Sequence, residues 1–327
     1  MKRLLHECFS EQARRMPDAI AVRHGSQTIS WGELEARASR IAGSLVARGI
    51  GTRSVVGLHM ERSIDQVSAQ LGILKSGAAV LPLPPAYPQA RQARILDFAA
   101  PSLVIDAEDS PLGHRSGPAV LTVESLLSGP REVTGSAELT NLDEETIAFV
   151  LSSSGSTGRP KLIARSHRSF FHRLTWTWDR HPYREGEVCC QKAHMTTTHS
   201  IYELFEPLLT GVETVIVPDP EVRELERFWE VIREAGVTRL LIVPTPLRAS
   251  LAMPDFEPPP LEVVVIMGEY VSPRLAGETL RRFPESTRIY SIYGSTEASS
   301  TLVCDLRELY HDGEDLPLGT PISADTR

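Results

Sequence analysis

The stretch RLLIVPTPLRASLAMPDFEPPPLEVVVIMGE, residues 239–269, decides how the chain is read. Leu240-Leu241-Ile242-Val243 and Val263-Val264-Val265-Ile266 are continuous apolar runs, the pattern of strands covered on both faces. Met253 to Pro260 between them reads as a proline-rich surface loop. Similar runs lie on either side: Val55 to Leu58, Ala79 to Leu81, Leu103 to Ile105, Ile147 to Leu151 and Thr214 to Val217. Between such runs stand helical patterns; Leu34, Ala38, Ile41 and Leu45 share one helix face before the stop signal Gly49. Strand and helix in alternation predict parallel sheets covered by helices. The chain of 327 residues exceeds the usual single domain, so two layered α/β subdomains with mostly parallel sheets are expected. The division is placed at residues 1–186 and 187–327.

The composition, 41% hydrophobic and 23% charged, excludes a mostly disordered or disulfide-stapled chain. A formal charge of -8 provides no overall basic field, so nucleic acid is not an expected partner. Cys8, Cys189, Cys190 and Cys304 show no CxxC spacing and read as reduced thiols. The first residues lack the apolar core of a signal peptide, and no apolar run approaches the roughly 20 residues that cross a bilayer. A cytoplasmic protein without membrane partners is expected.

Three short segments carry chemistry. Leu151 to Lys161 follows a strand-like run and packs two glycines, several hydroxyls and a lysine, a composition able to wrap phosphate oxygens. It is not the GxxxxGK[ST] pattern, because Gly155 and Gly158 are close together and Leu162 follows Lys161. Taken alone it also reads as a plain Ser/Gly hairpin loop. Tyr293-Gly294-Ser295-Thr296-Glu297 again follows an apolar strand and offers an aromatic face, a turn, hydroxyls and a carboxylate suited to Mg²⁺. Met267-Gly268-Glu269 ends a third strand, where open α/β sheets place ligand crevices.

Together these segments resemble the adenylate-forming superfamily, most closely the adenylation domains of nonribosomal peptide synthetases. Ser152 to Lys161 is similar to that family's SGTTGxPK signature and Tyr293 to Glu297 to its YGPTE signature, with Ser295 in place of proline. Leu74-Lys75-Ser76-Gly77 through Tyr87-Pro88 is similar to its LKAGxxYxPLDPxYP stretch. The resemblance implies ATP and Mg²⁺ as cofactors, a carboxylic acid substrate activated as an acyl-adenylate, and transfer to the phosphopantetheine thiol of a carrier protein. It assigns the β- and γ-phosphates to Ser153, Ser154, Gly155, Ser156, Thr157, Gly158 and Lys161. Adenine falls to Tyr293 with Gly268 and Glu269 nearby and Gly294 and Ser295 in the same turn. The α-phosphate goes to Thr296 and Mg²⁺ to Glu297; Lys161, Thr296 and Glu297 are the catalytic candidates.

Two departures from the family pattern stand out. Alignment on Ser200-Ile201-Tyr202-Glu203 puts Thr198 where amino-acid-activating members carry an aspartate for the substrate α-ammonium. A buried ammonium without a counter-charge is costly, so an acid without an α-ammonium, or a β-amino acid held otherwise, is expected. The same register names Thr198, His199, Tyr202, Ile242, Val265, Met267, Ile292, Ser300 and Thr301 as pocket wall. His199 either bonds a polar group of the substrate or bonds within the wall. The chain stops after Pro317 to Arg327, similar to the stretch before the family's β-barrel, so neither that region nor the C-terminal subdomain is expected in it. An acid-activating enzyme completed by a C-terminal portion, on the same or a separate polypeptide, is one reading; an inactive nucleotide-binding scaffold and an acyl-CoA ligase fragment are the others.

Overall fold

The computed structural model describes residues 4–107, 118–129, 142–154, 160–295, 299–312 and 314–322. The chain opens with α1 (Leu5–Arg15), the hairpin β1 (Ile20–His24) and β2 (Gln27–Ser30), and α2 (Trp31–Val46). Ser30 starts α2 sharply: its hydroxyl accepts from the Glu33 N–H while the Glu33 carboxylate accepts from the Ser30 N–H, a reciprocal capping box. There follow β3 (Val55–His59), α3 (Ile64–Lys75), β4 (Ala79–Pro82), α4 (Gln89–Ala99), β5 (Leu103–Asp106), β6 (Ala119–Thr122) and α5 (Val123–Leu127). A long hairpin of β7 (Ile147–Ser154) and β8 (Pro160–Ser166) leads into α6 (His167–Arg180). The remainder alternates: β9 (Val188–Gln191), α7 (Thr198–Leu208), β10 (Glu213–Ile216), α8 (Asp219–Arg223), α9 (Leu225–Glu234), β11 (Arg239–Ile242), α10 (Pro244–Leu251), β12 (Val263–Met267) and α11 (Pro273–Arg282). It closes with β13 (Arg288–Ser295), β14 (Ser299–Asp305), α12 (Leu306–Leu309) and β15 (Thr320–Pro321).

These strands form two mostly parallel sheets, as the apolar runs predict. The six-stranded sheet has the order β6-β5-β3-β4-β7-β8, and the nine-stranded sheet the order β15-β14-β13-β12-β11-β9-β10-β1-β2. The sheets do not divide at residue 186. β1 lies parallel to β10 with Val22 opposite Thr214, so the first hairpin of the chain completes the sheet built mainly from residues after 186. Tertiary pairing of an amphipathic hairpin with a distant edge leaves no local sequence signal.

One continuous core joins the sheets. Phe149 of β7 is fully buried and meets Phe170 of α6 at 5.4 Å and Phe205 of α7 at 6.0 Å between ring centroids. α7 packs in turn on β9 and β10, so these rings couple the two sheets through the helices between them. A second cluster covers the other face of the nine-stranded sheet, where Phe228, Trp229, Leu247 and Leu275 pack on Val264 and Ile266. Lys75 ties α3 to its neighbours by donating to Glu35 Oε1 (2.7 Å) and Ser10 Oγ (2.9 Å), a structural role for the lysine of the Leu74–Gly77 motif. Cys189 and Cys190 are buried in β9 as free thiols, and burial pushes both upward in pKa.

His167 links the chain start to the hairpin: its Nδ1 accepts from the Leu5 N–H at 3.2 Å, and burial pushes its pKa down to about 4. Protonation would place a hydrogen on the atom that accepts this bond. The folded chain therefore refuses a proton that the unfolded chain takes up below about pH 6.5, so this contribution is intact above that value and is lost as pH falls toward 4. His167→Asn, which retains an acceptor and cannot titrate, should make urea-unfolding stability fall less between pH 7 and pH 4.5 than in the parent. Phe149→Ala should cost about 3–5 kcal/mol in the same measurement, because the cavity lies where both sheets share one core.

Candidate functional site

The strand order places the crevice. β9 is flanked by β10 on one side and β11 on the other, so successive connections leave in opposite directions across the sheet. α7 enters the layer between the sheets, whereas α9, α10 and α11 cover the outer face. β9 and β11 share one registered pair, Cys189 with Arg239, at their N-terminal ends. Beyond the C-terminal ends the turns after β9, β11 and β12 surround the switch point, the position at which open α/β sheets bind ligands.

A buried carboxylate shapes the first of these turns. Glu203, on the second turn of α7, accepts from the N–H groups of Lys192 (2.8 Å) and Ala193 (2.6 Å) and from Lys192 Nζ (3.0 Å). Arg62, following β3, donates to the Val217 carbonyl at 3.0 Å and pairs with Asp219, so the six-stranded sheet reaches the same loops. Tyr87 OH meets Thr196 Oγ1 at 2.9 Å, and its ring stacks on His194 with centroids 5.4 Å apart. His194 thus borders the site from outside. Thr197 caps α7 by accepting from the Ser200 N–H, which sets Thr198 and His199 in its first turn.

His199 faces the end of β12. Gly268 has φ +95°, and a Cβ there would lie 2.7 Å from His199 Cε1 and 3.2 Å from Val243 Cγ1. Only glycine permits both the left-handed backbone and this approach. Burial, with help from Arg173 and Lys192, pushes the His199 pKa down to about 4 despite Glu203. The ring is therefore neutral near pH 7, offering one N–H and one lone pair. No hydrogen bond within the described residues engages it.

Most of the remaining wall residues assemble on the inner face of the nine-stranded sheet. Val265, Met267 and Ile292 pack together with Trp176 of α6 and Val303 of β14. Tyr202 and Met267 meet the same buried cation: Arg173 lies 4.8 Å from the Tyr202 ring centroid, and its Nη1 is 3.4 Å from Met267 Sδ. Arg173 also pairs with Glu206 at 3.0 Å, and burial of Glu206 raises its pKa even against this cation. Thr198 is buried, Thr301 donates to the Tyr293 carbonyl at 3.2 Å, and Ser300 stands opposite Gly294 in the ladder.

Ile242 is the exception among the expected wall residues. It stands in register with Ile266, and both join the outer cluster with Leu247, on the face opposite Val265 and Met267. The period of two along a strand sends Ile242 outward and leaves Val243, beside Gly268, on the site side. Arg173 and Val243 were missed by sequence reading. The signal for Arg173 was present: Phe170, Arg173, Leu174 and Thr177 share the buried face of α6.

The nucleotide candidates lie on two hairpins. In the first, Ser153 stands opposite Lys161 and Ser154 opposite Pro160. Gly155, Ser156, Thr157 and Gly158 lie outside the described residues. In the second, β13 and β14 pair with a register shift between Tyr293 and Gly294, and Ser295 stands opposite Ser299. Tyr293 is 58% exposed, leaving its ring available as a stacking platform. Glu269 accepts from Thr245 Oγ1 at 2.6 Å. Thr296 and Glu297 lie outside the described residues, and among the described ones no group of three His, Cys, Asp or Glu side chains could hold a metal ion. No helix of the described residues is long and apolar enough to cross a membrane.

Comparison with known proteins identifies the family and the fold. The chain is 31% identical over 355 residues to the beta-alanyl-bioamine nonribosomal peptide synthetase ebony of Drosophila melanogaster, covering 98% of this chain and 40% of that protein. It is 30% identical over 321 residues to the malpinin synthetase of Mortierella alpina, covering 97% and 4%. The chain thus spans less than half the length of these relatives. Among solved structures, the nonribosomal peptide synthetase FmoA3 superposes with a TM-score of 0.86 at 27% identity, over 98% of this chain and 34% of that one. The Klebsiella oxytoca NpsA N-terminal subdomain in complex with 3-hydroxybenzoyl-AMSN shares the fold, with a TM-score of 0.84 at 24% identity over 98% and 79%. The family model described as AMP-binding enzyme matches residues 9–327, and the chain belongs to this adenylate-forming family.

Proposed function

We propose that the chain binds ATP and a carboxylic acid lacking an α-ammonium group and activates the acid as its acyl-adenylate for transfer to a carrier-protein thiol. The observation that carries this reading is the first turn of α7. Thr198 and a neutral His199 occupy it, while the two carboxylates of the same helix are engaged elsewhere, Glu203 by the loop after β9 and Glu206 by Arg173. An ammonium placed there would lose its hydration without gaining a counter-charge. A hydroxy, keto, acyl or aryl acid, or a β-amino acid held otherwise, meets no such penalty. The name of the Drosophila relative, a beta-alanyl-bioamine synthetase, is in keeping with a substrate other than an α-amino acid.

The chemical difficulty is the approach of two anions. A carboxylate oxygen must attack the α-phosphorus while the bond to the bridging oxygen breaks and pyrophosphate leaves, so N–H donors and cations must meet charge as it builds. In this reading the Ser153 to Gly158 loop and Lys161 hold the β- and γ-phosphates, and Thr296 contacts the α-phosphate. Exposed Tyr293 stacks on adenine beside Gly268 and Glu269. Glu297 holds Mg²⁺, which supplies positive charge to the triphosphate when bound. The neutral His199 can donate to or accept from a polar group on the acid. The relatives named as peptide synthetases support a carrier-protein thiol over coenzyme A as acceptor.

Non-hydrolysable acyl-adenylate mimics separate the alternatives by calorimetry. A mimic of an acid without an α-ammonium should bind at least tenfold more tightly than the corresponding α-aminoacyl mimic, roughly the 1.4 kcal/mol of one decade, and Thr198→Asp should narrow or reverse the preference. Equal or tighter binding of the α-aminoacyl form by the parent chain would sink the substrate assignment. Gly268→Ala should weaken the mimic by about tenfold, since both the left-handed backbone and the His199 contact oppose a methyl group.

A further inference from the structure

The nine-stranded sheet has a second concave region at its other end. Around the starts of β11, β12 and β13 lies a cavity of about 580 Å³ whose wall includes Arg180, His181, Arg184, Arg239, Ser286 and Arg288. Four guanidinium groups share the wall with one carboxylate, Glu262, a local excess of positive charge in a chain whose formal charge is -8.

The four arginines differ in what they already hold. Arg239 is buried and fully engaged: it pairs with Glu187, donates to the carbonyls of His181 (2.6 Å) and Pro182 (2.9 Å), and stacks 3.8 Å from the Tyr183 ring centroid. It pins the loop after α6 to the start of β11. Arg184 is exposed and reaches Glu262 only at 3.7 Å, a loose contact that an incoming anion can replace. Arg180 and Arg288 are exposed and have no carboxylate partner among the described residues.

Arg288 is held by an unusual acceptor for a guanidinium. Its Nη1 lies 2.8 Å from His181 Nδ1, and burial together with Arg288, Arg239 and Arg180 pushes that imidazole down to about 4. A neutral ring orients Arg288 without cancelling its charge. With Nδ1 accepting, the ring proton sits on Nε2, which is buried and has no hydrogen-bond partner among the described residues. His181 is only 5% exposed, so the arrangement is built into the wall rather than draped over the surface. Trp176 and Tyr290 pack against the same ring and keep it in place.

We propose that this cavity binds a compact polyanion of the diphosphate type. Guanidinium forks match phosphoryl oxygens in pairs, and a multivalent anion lets Arg180 and Arg288 share one ligand where a single carboxylate would satisfy one of them. Arg184 can turn from Glu262 to the same ligand, and the Ser286 hydroxyl adds a neutral donor at the wall. A concave site of this volume takes a small hydrated anion, whereas a protein partner calls for a broader face.

The test is calorimetric titration of the whole chain with sodium diphosphate at low ionic strength, with citrate and sulfate as parallel arms. Saturable binding is expected for diphosphate, weakening steeply with added salt. The Arg180→Ser/Arg288→Ser double variant should weaken it by about tenfold or more, since two charge-assisted contacts are removed. Both side chains are exposed, and an unchanged thermal melt verifies that the variant is folded; the Arg180→Ser single variant, expected to show a smaller loss, provides the same test should the double variant melt early. The double variant also separates the two ends of the sheet, because Arg180 and Arg288 line the cavity at the strand starts, and diphosphate held only at the other end would bind the variant unchanged. Absence of saturable binding at millimolar diphosphate, unchanged binding in the folded double variant, or tighter binding of citrate than of diphosphate would each overturn the assignment. None of these outcomes depends on the acid specificity proposed for the other end.

Discussion

The carboxylate of Glu203 is the constraint on which the crevice depends. It is a charge taken out of water, and it is stable there because two backbone N–H groups and the Lys192 ammonium surround it. Those bonds hold the turn after β9 against the second turn of α7. The first turn of the same helix is thereby fixed, and with it Thr198 and His199. Loss of this one carboxylate would leave the backbone donors of Lys192 and Ala193 to find other acceptors and would free the helix start from the strand end.

From that anchor the electrostatics of the wall follow. Glu203 is committed to the loop and Glu206 to Arg173, so both carboxylates of α7 hold structural partners. Arg173 lies against Tyr202 and Met267 with its charge balanced by Glu206. His199, buried beside Gly268, stays neutral. The side chains of this wall are therefore polar or apolar without net charge, and in the function proposed above selectivity would rest on the cost of burying a charged group opposite them.

The two ends of the nine-stranded sheet carry opposite arrangements. At the C-terminal ends of the parallel strands stand glycine turns, the exposed Tyr293 and a neutral wall. At the N-terminal ends stand Arg180, Arg184, Arg239 and Arg288 around a buried imidazole. The rings of Trp176, His181 and Tyr290 are packed together, and Tyr290 shares an apolar cluster with Met267 and Ile292. One face of β12 and β13 thus runs from the arginine cavity to the crevice.

Much of this organisation is legible in the sequence because two-sided burial demands continuous apolar runs. Val55 to Leu58, Ala79 to Leu81 and Val263 to Ile266 announce parallel strands, and Gly268 and Tyr293 stand at strand ends as the motif spacing requires. Ser30 and Glu33 announce the start of α2 through chemistry that is entirely local. The alternation along β11 also separates its residues into two sets. Which set faces the crevice is decided by the helices packed on each side, and that choice turns Ile242 outward and brings Val243 to Gly268. Likewise, the pairing of β1 with β10 and the burial of Arg173 beside Met267 arise between segments distant in the chain. Local propensity and spacing determine the elements and their amphipathic faces; the partners of those faces are set only when the whole chain competes to remove apolar surface from water.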